Sequence, residues 1–160
     1  MKRIGRRKNK FMEFLYRIND MIPEIFEEII RTYNFKYIRK DSLHSVLAKD
    51  NYAIILSVSR DYVDINYLKR EGTGIIKYWI HPFLMENLDE EDRSVRREGK
   101  DLNTKLINYI LLYEKVLRTK WQNILTGKMD WVDDCRKSKM CVIRELSGVE
   151  YDRCKGVFEM

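Results

Sequence analysis

Histidine, cysteine, proline and glycine are all scarce in this 160-residue chain, which has two His, three Cys, two Pro and seven Gly. The two histidines, His44 and His81, leave few near-neutral bases, and neither lies in a Ser, Cys or carboxylate pattern that specifies hydrolysis. The cysteines, Cys135, Cys141 and Cys154, are odd in number, unlike the dense and even set of a secreted disulfide scaffold. Their spacing lacks a close pair, which argues against a structural zinc site. Free thiols in a reducing compartment follow, with no cofactor and a cytoplasmic location expected. So little Gly and Pro excludes a fibrous or low-complexity chain. No apolar run approaches the length of a membrane-spanning helix, and Phe11–Asp20 is interrupted by Glu13, Arg17, Asn19 and Asp20, so a secretory signal core is not expected.

What the body also lacks is net charge. Lys2, Arg3, Arg6, Arg7, Lys8 and Lys10 hold the whole excess, because the other 150 residues balance 25 Lys+Arg against 25 Asp+Glu. The pI of 9.2 therefore describes an N-terminal arm. Such an arm attracts polyanions over about 10 Å, which makes those six residues the candidate contacts of a nonspecific nucleic-acid-associated accessory protein. The plain alternative is a solubilising terminus. Residues 1–10 are read as a basic flexible tail and 11–160 as one domain, a length suited to a single core.

Apolar periodicity divides the domain. Phe11, Phe14, Leu15, Ile18, Ile22, Ile25, Phe26, Ile29 and Ile30 recur at helical spacing, with Pro23 marking a kink or a second helix. From Phe35 the period becomes two. Short strands are predicted over 35–40, 43–48, 52–59, 62–68 and 75–80, joined by Lys49-Asp50-Asn51, Arg60-Asp61 and Gly72-Thr73-Gly74 and closed by His81-Pro82, a pattern of local hairpins. Leu102, Leu106, Ile110, Tyr113, Leu117, Trp121, Ile124 and Leu125 then predict a helix of about 22 residues, capped by Asp101 or Asn103 and stopped at Thr126-Gly127. A short helix near Asp130–Cys135 and a loop-like closure complete the chain. The expected fold is α+β, two layers, with long helices packed on an antiparallel meander of four to five strands whose other face stays partly open.

Motifs for catalysis are thin. Asp61, Asp64 and Glu71 could gather at one sheet end as in a metal nuclease, but the acid-x-Lys partner is missing after Glu71. Gly72-x-Gly74 lacks the rest of any nucleotide loop. No catalytic, cofactor or metal residues are assigned. As a candidate contact surface, Tyr62, Asp64, Asn66 and Leu68 share one strand face as an anchor among polar groups, with Arg93, Arg96 and Arg97 as rim groups; the plain alternative is that the same residues cover the sheet or solvate a loop. Those arginines follow Glu86, Asp89, Glu90, Glu91 and Asp92, so the connector's charges are expected to cancel locally.

The order of helix, meander and closing helix, the last carrying Tyr109-Ile110-Leu111-Leu112-Tyr113 and followed by Ile124-Leu125-Thr126-Gly127, resembles small bacterial immunity-type proteins that neutralise toxins. The resemblance covers residues 11–130 and implies a noncovalent protein-binding module that inhibits by occlusion, with a protein partner and no active site. The basic first decad departs from that pattern and suits a phage-derived or nucleic-acid-associated protein. Deleting residues 2–10 is expected to bring the net charge from +6 to zero while leaving cooperative unfolding nearly intact, as thermal melting would show; loss of the cooperative transition would place the segment in the fold.

Overall fold

The helical period of the first thirty residues is realised as α1 (Lys2–Ile25) and α2 (Glu27–Thr32). The computed structural model describes residues 2–159, with side chains from Lys10 onward. The backbone of the basic decad continues α1; the side chains of Lys2, Arg3, Arg6, Arg7 and Lys8 lie outside the described residues, and Lys10 is exposed. Pro23 sits two positions before the end of α1. Phe26 still donates its N–H to the Ile22 carbonyl at 2.9 Å, so the two helices follow one another across a one-residue break at Phe26.

Alternation in the next segment produces β1 (Lys36–Arg39), β2 (His44–Ala48), β3 (Tyr52–Val58), β4 (Val63–Glu71) and β5 (Gly74–Trp79). They form a sequential antiparallel meander. Register is long and regular in the centre, where β3 pairs β4 from Tyr52↔Lys69 to Val58↔Val63. The β4–β5 turn begins at Gly72, with φ 59°, a region that glycine enters without a Cβ penalty. After β5 the chain makes a helical excursion through α3 (His81–Glu86), α4 (Glu90–Arg93), α5 (Leu102–Thr119), α6 (Gln122–Leu125) and α7 (Val132–Lys137). It then returns as β6 (Val142–Glu145) on the outer edge of β5 and ends in α8 (Gly148–Lys155) and a 3₁₀ turn, Gly156–Phe158.

The protein is α+β, as its periodicities imply, but the sheet has six strands, not four to five. The closing segment, read as a loop, supplies β6. Its four residues are mostly exposed, so it has no buried alternation and is recruited by pairing Val142 with Trp79 and Glu145 with Ile76. The 22-residue helix also divides. Lys120 and Trp121 both direct their N–H to the Val116 carbonyl, the second an i→i−5 bond that widens the last turn and ends the helix, and the Trp121 ring packs on Phe83 at 4.4 Å. Asp101 caps α5, accepting from the Thr104 N–H at 2.9 Å.

One sheet face carries the main core. Leu47, Ile54, Leu56, Ile65 and Tyr67 are buried there with Ile18 and Ile22 of α1 and Leu106, Ile110, Tyr113 and Leu117 of α5. Apolar burial at about 25 cal/mol per Å² makes this layer the main source of stability. A buried polar contact fixes α1 on the first hairpin: Ser45 Oγ donates to Asn19 Oδ1 at 2.8 Å, and Asn19 Nδ2 donates to the Asp41 carbonyl at 3.2 Å.

The other face is less open than its sequence suggested. Ile38, Val46, Ala53, Ile55, Leu68 and Ile75 are sealed by Leu146, Cys154 and Val157 of the C-terminal segment, adding a small third layer. Glu150 of α8 ties this cover down, accepting from Lys77 Nζ at 2.9 Å and Arg144 at 2.6 Å. The end bearing Asp64, Asn66 and Trp79 lies beyond this cover and opens into a recess.

Ile110 is fully buried, whereas Val149 is 66% exposed. Truncating Ile110 to Ala is expected to cost about 2–5 kcal/mol through lost burial and a residual cavity, and Val149→Ala under about 0.5 kcal/mol. Urea denaturation of the two variants measures both.

Candidate functional site

The uncovered end of the second sheet face is a recess of about 210 Å³ lined by Asp64 and Asn66 of β4, Lys77 and Trp79 of β5, and Val142 and Arg144 of β6. Strand alternation puts these side chains on one face, and pairing of Asn66 with Trp79 and Trp79 with Val142 sets them in a row. The Asp64 carboxylate accepts from Trp79 Nε1 at 2.6 Å, Asn66 Nδ2 at 3.0 Å and the Ile65 N–H at 2.9 Å. All three donors are neutral. Asn66 is 5% exposed, and with its amide nitrogen held by Asp64, its buried Oδ1 has no hydrogen-bond partner among the described residues. A buried acceptor left unpaired costs about 1–3 kcal/mol. Val142 beside it is 45% exposed.

An aromatic row leads away from this recess. Trp79 stacks on His81 with centroids 6.1 Å apart, and His81 meets Tyr62 at 5.8 Å and Tyr109 of α5 at 6.0 Å. The fully buried Tyr113 underlies the row: its hydroxyl donates to the Val63 carbonyl and accepts from His81 Nδ1. A hydroxyl has one proton, so this arrangement assigns the neutral His81 hydrogen to Nδ1 and leaves Nε2 as the acceptor. Burial lowers the His81 pKa below 6.5 against a smaller opposing pull from Asp64.

Beyond Tyr109 lies a larger recess of about 630 Å³. Its walls come from Met85 of α3, residues 96–100 and α5 from Lys105 to Leu112, and its charged lining is Arg96, Arg97, Lys100 and Lys105 with Glu98 as the one carboxylate. The connector's charges do not cancel locally. Asp89 and Asp92 cap α4 reciprocally and face Lys120, the residue that follows α5, whose Nζ lies 2.8 Å from Asp89 and 2.5 Å from Asp92. Lys120 holds the Asp89 carboxyl down to about 2. The acids are thus engaged by a lysine that the local sequence does not contain, and the arginines keep their charge. Among the described residues, none of the four recess cations makes an ion pair with a carboxylate closer than 4.0 Å.

Of the residues the sequence singled out, Tyr62, Asp64 and Asn66 gather around Trp79 and His81, and Arg96 and Arg97 stand on the far side of Tyr109. Leu68 is fully buried beneath the C-terminal cover and faces no partner. Arg93 points elsewhere, donating to the Leu88 carbonyl at 2.9 Å. Asp64 and Glu71 sit seven residues apart on β4, a separation of about 23 Å that prevents a shared metal, and among the described residues no cluster of three or more His, Cys, Asp or Glu is placed to hold one. Sequence reasoning missed Trp79 and Tyr109. Strand alternation from Asn66 across the β4–β5 turn would have found Trp79; Tyr109 needed the packing of α5.

Because folding lowers the His81 pKa, the unfolded chain binds its proton more readily between the folded value and 6.5. This contribution to stability is complete above 6.5 and falls as the pH drops through that window. Urea unfolding at about pH 7.5 and about pH 5 is expected to show a larger acid loss for the wild type than for His81→Gln, which keeps a donor for Tyr113. Equal losses would exclude His81 as the source.

Comparison with models of protein families, with curated proteins and with solved structures finds no match.

Proposed function

We propose that the chain is a noncovalent protein-binding module, with the Asp64–Asn66–Trp79–Val142 recess as its contact. The observation that carries this reading is the buried, unpaired Asn66 Oδ1 at a recess of about 210 Å³. The space suits one side chain, and the acceptor beside a carboxylate held by neutral donors calls for an N–H donor, such as a lysine, arginine or amide group of the partner. Exposed Val142 and the Trp79 ring supply the apolar border that excludes water around such an anchor. The resemblance to immunity-type proteins supports the same reading, since occlusion of a toxin requires a surface and no reacting residue. Neither histidine is assigned chemistry: His44 is paired with Asp41 at 2.7 Å on the surface, and His81 positions the aromatic row.

A nucleic-acid accessory role through Lys2, Arg3, Arg6, Arg7, Lys8 and Lys10 is the competing reading. Affinity capture from the native cell followed by calorimetric titration of the purified partner separates the two. The expected result is a protein whose affinity drops about tenfold or more with Asn66→Leu or Trp79→Ala, while circular dichroism of the variants stays native. Recovery of nucleic acid alone, or of a protein indifferent to both substitutions, would overturn the proposal.

A further inference from the structure

The larger recess has a composition different from that of the Asn66 contact. Its cations come from two sources held in a fixed relation. The Asn108 side chain of α5 grips the backbone of Arg97, accepting from its N–H at 2.8 Å and donating to its carbonyl at 3.1 Å. Two residues on, Gly99 has φ 140°, and a Cβ there would lie 2.8 Å from Thr104 Oγ1, so the loop turns against the helix where only glycine fits. These contacts hold residues 96–100 beside Lys105 through main-chain atoms and leave both arginine guanidinium groups unoccupied by ion pairs. The α5 N-terminus is not the source of the field, because Asp101 already caps it.

Met85, Tyr109 and Leu112 form the apolar part of the lining. Leu112 is buried, whereas Tyr109 and Met85 are half-buried, so a ring face and a thioether are available beside the cations. The volume of about 630 Å³ lies in the range of small-molecule sites, roughly 300–1,000 Å³. Arginine forks match phosphate oxygens in two-point contacts, and a half-exposed tyrosine offers a stacking surface for a planar ring. The basic ground is short: exposed Glu90 and Glu91 of α4 precede it in the same connector, which disfavours the extended cationic track that a nucleic-acid strand follows.

We propose that this recess binds a small organic phosphate with a planar ring, of the class of a nucleoside diphosphate. Arg96, Arg97, Lys100 and Lys105 hold the phosphates, and Tyr109 takes the ring. The site stands independently of the protein-partner reading and adjoins it, because Tyr109 also touches Tyr62 and His81.

Calorimetric titration of the full chain with ADP, adenosine, inorganic pyrophosphate and a single-stranded oligonucleotide tests it. ADP is expected to bind saturably and to weaken as salt rises, with adenosine about tenfold weaker or more. The double substitution Arg97→Gln, Lys105→Gln is expected to reduce ADP affinity about tenfold or more. Because Asn108 holds Arg97 through its backbone, the loop survives that change, and an unchanged melting temperature verifies it. Tyr109→Leu is expected to bring ADP down to the affinity of pyrophosphate. Asn66→Leu should leave ADP binding unchanged, which keeps a failure here distinct from a failure of the partner contact. Absence of saturable ADP binding, equal binding by the Arg97/Lys105 variant, or binding of the oligonucleotide alone would overturn the proposal.

Discussion

The Tyr113 hydroxyl is the point on which the candidate face depends. It lies at zero exposure, donates to the Val63 carbonyl where β4 begins, and receives His81 from the start of α3. Three elements distant in sequence therefore share one oxygen. A carbonyl and a ring nitrogen buried without it would each demand another partner, so the position of α5 along the sheet is fixed by hydrogen bonding as well as by the less directional packing of Leu106, Ile110 and Leu117. That position brings Tyr109, one helical turn earlier, beside Tyr62 and His81 and sets the boundary between the two recesses.

Charge on this protein is distributed by tertiary structure more than by sequence neighbourhood. The connector from Glu86 to Arg97 reads as a self-cancelling stretch, yet Lys120 and Lys115 reach it from the far end of α5 and engage Asp92 and its neighbours. Asp92 is 1% exposed, so its pairing with Lys120 is strengthened by a lower local dielectric. The consequence is an uneven surface: acid and lysine pair at one end of the connector, while cations collect at the other.

Much of the fold was legible because its signals were local. Tyr52, Ile54, Leu56 and Val58 alternate and do face the main core, and the helical spacing of Leu106, Ile110, Tyr113 and Leu117 marks the face that covers it. Elements that depend on distant partners were not legible. β6 has four mostly exposed residues and no period of its own, and the cover made by Leu146, Cys154 and Val157 arises from scattered positions in a segment rich in charge. Burial of Leu68 follows from that cover, so its parity was read correctly and its environment was not. The candidate site was half visible: Asp64 and Asn66 stood out as polar groups on a strand face, but the significance of Asn66 lies in an unpaired oxygen that only three-dimensional packing reveals.

The return of β6 has a further meaning for the order of events during folding. β1 to β5 are joined by short turns and close with little loop entropy, whereas β6 reaches β5 only after the intervening helices between Trp79 and Val142, a large separation whose closure grows costlier with length. Val142 and Arg144 are one wall of the Asn66 recess. A nascent chain thus acquires its aromatic row with the meander and α5, and closes the Asn66 recess only when the last strand arrives, so that wall is a late feature of the fold and the first to be surrendered when the edge frays.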